Sequence, residues 1–151
     1  MRTDTLTSPL AVAGIALRTN NLEAAETIPP QWGAFFDGGG VTQIPHRLGD
    51  DVVAVYTAFA NEGENNDGDY TFVIGCIVPE GSAPPQGLAT VTVPASDRLV
   101  FPVAAGRPDL VGEAWQQIWA RTDLAKTFVA DFERYSAEGD IEISIGVRPQ
   151  Q

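Results

Sequence analysis

The stretch TFVADFERY (127–135), the turn that follows it, and DIEISIGVRP (140–149) decide the fold. In the second segment Ile141, Ile143, Ile145 and Val147 alternate with Glu142, Ser144 and Gly146, the period of two that marks a half-buried strand. The first is β-branched and aromatic, so a hairpin over 128–135 and 141–147 is expected around the AEGD turn. Just ahead lies EAWQQIWAR (113–121), where Leu110, Val111, Ala114, Trp115, Ile118 and Trp119 fall on one helical stripe. The same order of elements occurs earlier, as PQWGAFF (30–36), DVVAVYTAF (51–59) and YTFVIGCIVP (70–79). Laying Trp32 on Trp115 and the strand runs together puts Tyr56 on Phe132 and Thr57 on Glu133. The chain therefore reads as a duplicated unit, with halves over about 9–80 and 87–149, and only the second half carries a glutamate on this line.

Outward from these runs, 10–18 reads as a first strand, with Gly14 as a bulge or a point of close approach. Asn21 is the expected cap of a helix beginning at Leu22, which Pro29 and Pro30 interrupt. The prolines start a further turn over 31–36, which ends at Gly38, Gly39 and Gly40. Strands are expected at 52–59 and 70–78 around the acidic turn NEGENNDGD, and at 88–93 and 98–104 on either side of PASD. Pro108 and Asp109 set up the second helix. The predicted fold class is α+β: two βαββ units related by a pseudo-twofold axis, with an antiparallel sheet, helices on one face and a ligand cleft between the halves. The face without helices is the expected place for that cleft.

With 151 residues, 44% of them hydrophobic, the chain is long enough for one compact domain, expected over 1–151. Twenty acidic residues against nine basic ones give a net charge of -11, which argues against nucleic acid or an anionic membrane as partner and favours a cationic ligand. The single cysteine, Cys76, sits in an apolar run and reads as a buried thiol with no disulfide or zinc role. No stretch approaches the ~20 apolar residues of a membrane helix, and a cytoplasmic protein is expected. GxSxG, HExxH and CxxC motifs and a glycine-lysine phosphate loop are absent, so no cofactor or metal is called for. Glu62, Glu64, Asp67 and Asp69 do not have the spacing of a calcium loop and read as a solvated turn. The lone histidine, His46, reads as an ordinary surface residue.

Glu133 is the residue whose reading matters most. Alternation puts Asp131, Glu133 and Tyr135 on one face of their strand and Phe132 and Arg134 on the other. Either that acidic face meets water while the Phe face meets the helix, or Glu133 enters an aromatic cleft. In such a cleft, lost hydration would make it attract an organic cation or raise its pKa. Trp32, Phe35, Phe36, Tyr56, Tyr70, Phe101, Trp115, Trp119 and Tyr135 supply material for either a core or a cation-binding wall.

The hairpin VYTAF…GDYTFVIGCIVP, the helix EAWQQIWAR, and above all DFERY followed by DIEISIGV resemble the gyrase-inhibitor-like (GyrI-like) effector-binding domains of AraC- and MerR-type multidrug regulators. The resemblance runs over about 10–147 and is nearest to the stand-alone branch of integron-associated effector-binding proteins. It implies a small-molecule binding protein for hydrophobic cations or aromatic compounds, with Glu133 as counter-charge. Tyr56, Tyr70, Trp115 and Trp119 are then the nearest wall residues, with Trp32 and Phe36 behind them. Only a few residues precede the first strand and the chain is acidic, so direct DNA binding is not expected and a protein partner would carry any regulatory output. Two alternatives come with the resemblance: hydrolysis of reactive cyclopropane-type electrophiles using Glu133, and a gyrase-inhibitor-like interaction module.

Overall fold

A computed structural model describes residues 1–149. The elements in chain order are β1 (Arg2–Leu6), β2 (Leu10–Asn20), α1 (Ala24–Asp37), β3 (Val52–Thr57), β4 (Asp69–Val78), β5 (Ala89–Val93), β6 (Ser96–Val103), α2 (Val111–Ala120), β7 (Ala130–Tyr135) and β8 (Ile141–Val147). The strands form one antiparallel sheet in the order β1-β6-β8-β7-β3-β4-β2-β5. The order reads the same from both ends: β2-α1-β3-β4 and β6-α2-β7-β8 are the two repeats, meeting at the β3–β7 pair. The two strands that lead into the repeats are exchanged. β1 precedes the first repeat but pairs with β6 of the second, while β5 precedes the second but pairs with β2 of the first.

Both helices lie on one face, as expected. Phe35 of α1 packs with Ala54, Tyr70, Phe72 and Ile74, and Val111, Trp115 and Ile118 of α2 pack with Leu99, Ile141, Ile143 and Ile145. Val12, Val53, Val55, Val73, Val93, Ala130 and Phe132 form a third cluster on the opposite face. Leu6 from one edge strand and Val91 from the other both pack against it. The sheet therefore curls its edges over its own back, which buries a face that no helix covers.

Three local expectations give way. The first is the break at Pro29 and Pro30, which instead sit inside a continuous α1. Each removes a donor to the carbonyl four residues earlier, but Ala25, Glu26, Pro29 and Pro30 all lie on the exposed side, where water can take those carbonyls. Nor is Asn21 the cap: Asn20 Oδ1 accepts the Glu23 backbone N–H at 3.0 Å, and Asn21 Oδ1 accepts the Tyr70 hydroxyl at 2.9 Å. The third concerns the repeat register, which is one residue off. Directly paired residues share a sheet face, and Ala54 pairs with Glu133 and Tyr56 with Asp131, so Thr57 faces away from the line that holds Glu133. Gly75 opposes Val53, and Gly146 continues the ladder in which Ser144 opposes Phe132. Laying Gly75 on Gly146 then lays Tyr56, not Thr57, on Glu133.

Glycines hold the middle of the first repeat together. Gly14 of β2 and Gly75 of β4 are cross-strand partners, and a Cβ on either would collide with backbone atoms of the other strand. Gly14 is thus the close approach its sequence context suggested. In the second repeat Gly146 faces Arg98, and a Cβ there would press on the Thr127 hydroxyl at 2.6 Å and on the guanidinium at 3.2 Å. Arg98 is 3% exposed, donates to the Ser144 side chain and carbonyl at 2.9 Å each, and lies 5.2 Å from the Phe132 ring centre.

Candidate functional site

Glu133 stands near the centre of the sheet, on the face that carries the helices. The cleft is therefore not on the helix-free face, and the acidic line does not meet water: Glu133 is 2% exposed, and Phe132 points to the back cluster instead. Three side chains converge on the carboxylate. Tyr56 donates its hydroxyl to Oε2 at 2.5 Å, Trp115 donates Nε1 to the same oxygen at 2.7 Å, and Tyr135 donates to Oε1 at 2.5 Å. Each comes from a different element, β3, α2 and β7, so the fold as a whole sets the geometry.

Burial pushes the Glu133 pKa above the usual carboxylate range, and the three donors pull in the opposite direction without cancelling it. The phenols answer to the same field. Burial, reinforced by the adjacent Glu133 charge, raises Tyr56 and Tyr135, and lifts Tyr70 to about 12. All three stay protonated near neutrality, so Tyr56 and Tyr135 act as donors. Short bonds of this kind, with an ionised acceptor, are about twice as strong as neutral ones.

The carboxylate closes the floor of a cleft of about 450 Å³ between α1 and α2. Tyr56, Tyr70, Trp115, Trp119 and Trp32 line it with Glu133, so six of the seven residues singled out from the sequence come together. Phe36 does not: it stacks on Trp32 outside this space, 61% exposed. The rings form two groups, one with Tyr56 5.3 Å from Trp115 and Trp115 stacked on Trp119 at 5.7 Å, the other with Trp32 edge-on to Tyr135 at 5.2 Å, and Glu133 joins them through its bonds to Tyr56, Trp115 and Tyr135. Such rings attract a desolvated cation by about 0.5–2 kcal/mol each.

Tyr135 is the site residue that sequence reasoning left off its list. The available signal was the alternation that puts it on the same strand face as Glu133. Pro29 and Ile28 of α1 and Val111 of α2 complete the apolar walls, and no motif marks them.

Asp131 is buried one step along the same line. Its Oδ1 accepts the Gly146 backbone N–H at 2.8 Å, and burial lifts its pKa to about 6 against the pull of that bond and of Arg98 and Lys126. As pH rises from about 4 to 6, the unfolded chain releases this proton while the folded chain keeps it, so folding stability falls by up to about 3 kcal/mol and then levels off. Urea unfolding of wild type and Asp131→Asn across that range checks this: the stability difference, wild type minus variant, should fall with pH. A difference that is flat or rises with pH contradicts it.

Comparison with known proteins places the chain. A family model described as integron-associated effector binding protein (Cass2) matches residues 7–147. YobU of Bacillus subtilis, a candidate transcriptional regulator, is 30% identical over 129 residues, which is 82% of this chain and 79% of YobU. The integron cassette protein VCH_CASS2 of Vibrio cholerae superposes with a TM-score of 0.75 at 21% identity, covering 97% of this chain and 95% of that one. The structure of SAV2435 bound to tetraphenylphosphonium superposes at 0.79 with 17% identity, over 97% and 93% of the two chains.

Proposed function

Because the chain belongs to the family of integron-associated effector-binding proteins, we propose that the Glu133 cleft takes up amphipathic organic cations, with the carboxylate as counter-charge and the surrounding rings as walls. The carrying observation is a buried carboxylate at the floor of an aromatic cavity, with no basic side chain among its hydrogen-bond partners in the described residues. A neutral ligand would leave that charge in the apolar cleft without a counter-ion; a lipophilic cation neutralises it and loses little hydration of its own. That a structurally similar protein is described as bound to tetraphenylphosphonium supports the same chemistry here.

Titrating tetraphenylphosphonium while following tryptophan fluorescence tests the proposal, because Trp32, Trp115 and Trp119 all line the cleft. Glu133→Gln keeps the shape and removes the charge. Affinity should drop by about 2 kcal/mol, roughly thirtyfold, once lost desolvation is set against the Coulomb attraction. Lowering the pH should weaken binding to wild type as Glu133 takes up a proton, and should leave the Gln variant unchanged. Equal affinities for the two proteins would overturn the proposal.

A further inference from the structure

The cleft does not stop at Tyr135. Beyond that ring lies a second hollow of about 380 Å³, walled by Trp32, Phe36, Val52, Pro108 and Tyr135. Three of these, Trp32, Pro108 and Tyr135, also line the Glu133 cleft, so the two spaces share a wall. The hollow is almost entirely apolar. Among the described residues that wall it, the one ionisable group is the Tyr135 hydroxyl, already committed to Glu133.

The pseudo-twofold axis makes this hollow conspicuous. Laying Trp32 on Trp115 lays Phe36 on Trp119, and both pairs are stacked one helical turn apart, at 6.1 and 5.7 Å. Beside Trp115 and Trp119 lies a space of only about 20 Å³, bordered by Tyr56, Phe59 and Tyr70 and by the polar Asn21, Asn66 and Asp131. The α2 pair thus borders a nearly filled space and the α1 pair an open one. The open one keeps the Phe36 ring largely in water, where covering it would be favourable.

We propose that this hollow is an outer subsite for the uncharged apolar arm of a ligand whose cationic head sits at Glu133. This rests on the cleft being a cation site, and it narrows the ligand class. The fold favours elongated amphipathic cations, with one head and an alkyl or aryl tail that passes Tyr135, over compact ones.

The test is calorimetric titration of benzyldimethylalkylammonium ions, with the alkyl group lengthened from methyl to dodecyl and concentrations kept below micelle formation. Wild type should gain roughly two- to fourfold in affinity per methylene once the tail reaches the hollow. Val52→Tyr fills the hollow from β3; it should end that gain while leaving the affinity for the trimethyl head unchanged. Phe36→Ser, which alters an exposed ring and spares the core, should reduce the increment per methylene. An increment unchanged in both variants overturns the outer subsite. Head-group binding that is absent, or equal in Glu133→Gln, overturns the cation reading itself and is scored separately on the trimethyl compound. Dimerisation that Phe36→Ser abolishes, with no increment along the series, would assign the hollow to a second copy of the chain and also overturn the proposal.

Discussion

Gly75→Val leaves little folded protein at room temperature, with a loss of at least about 4 kcal/mol. Losses of that size arise when a substitution meets atoms that cannot move. Here the new Cβ alone would collide with the carbonyl group of Ala13 and the Cα of Gly14, which are backbone atoms inside a ten-pair ladder between two interior strands. Relief would require separating β2 from β4, and with them the strands that hold Tyr56 and Tyr70. Gly14→Ala should behave almost as badly. Gly112→Ala, on α2 where a methyl group meets nothing within 4 Å, should instead gain up to about 1 kcal/mol. Urea denaturation of the three variants provides the check, and a stable Gly75→Val would show that the sheet can open at its middle.

Trp115→Ala should cost about 3–5 kcal/mol in stability, the range for removing a large buried aromatic. Trp115 is 6% exposed and sits between the α2 cluster and the Tyr56 ring. The effect has two parts that Trp115→Phe separates. Phenylalanine keeps most of the packing but cannot donate to Glu133 Oε2, so about 1–3 kcal/mol should be lost through the carboxylate alone. Losing a donor also favours the protonated acid, so tetraphenylphosphonium affinity should fall at a higher pH in Trp115→Phe than in wild type. Identical pH profiles for the two would show that the indole serves packing only.

Much of this architecture was legible in the chain. The isoleucine alternation of β8 and the apolar stripe of α2 each have one buried side and one exposed or small side, so period alone locates them. β1 was not legible, because RTDTL is an edge strand whose residues are nearly all exposed and carries no apolar alternation to read. Pro29 and Pro30 misled because a proline's penalty depends on whether the orphaned carbonyls face water, which only the helix's placement decides. The repeat was visible from its order of elements, but its register was not: Tyr56 resembles Phe132 in type, whereas the sheet requires it to share a face with Glu133.

The site shows the same division. Glu133 and five of its aromatic neighbours were identifiable as residue types in a pattern, and the family resemblance ranked them. Their gathering around one cleft, with Tyr56 and Trp115 on the carboxylate itself, was not, because it depends on β3 pairing with β7, two strands far apart in the chain. The corrected register also changes the asymmetry between the repeats: the counterpart of the glutamate is Tyr56, the residue that donates to it. The two repeats have thus diverged into an acceptor and a donor at equivalent positions.

The exchange of β1 and β5 between the repeats bears on how the chain assembles. Arg2 waits for Val100 before it has a partner, and the outer edge of β2 stays open until β5 is made. β5 follows the first repeat directly and can cover β2 before the second repeat is made, but β1 must wait for β6, and the inner edge at β3 stays open until β7 is synthesised. Contacts so distant in sequence are slow to form. The edge of β3, open until β7 arrives, is the place where premature pairing with another chain would begin.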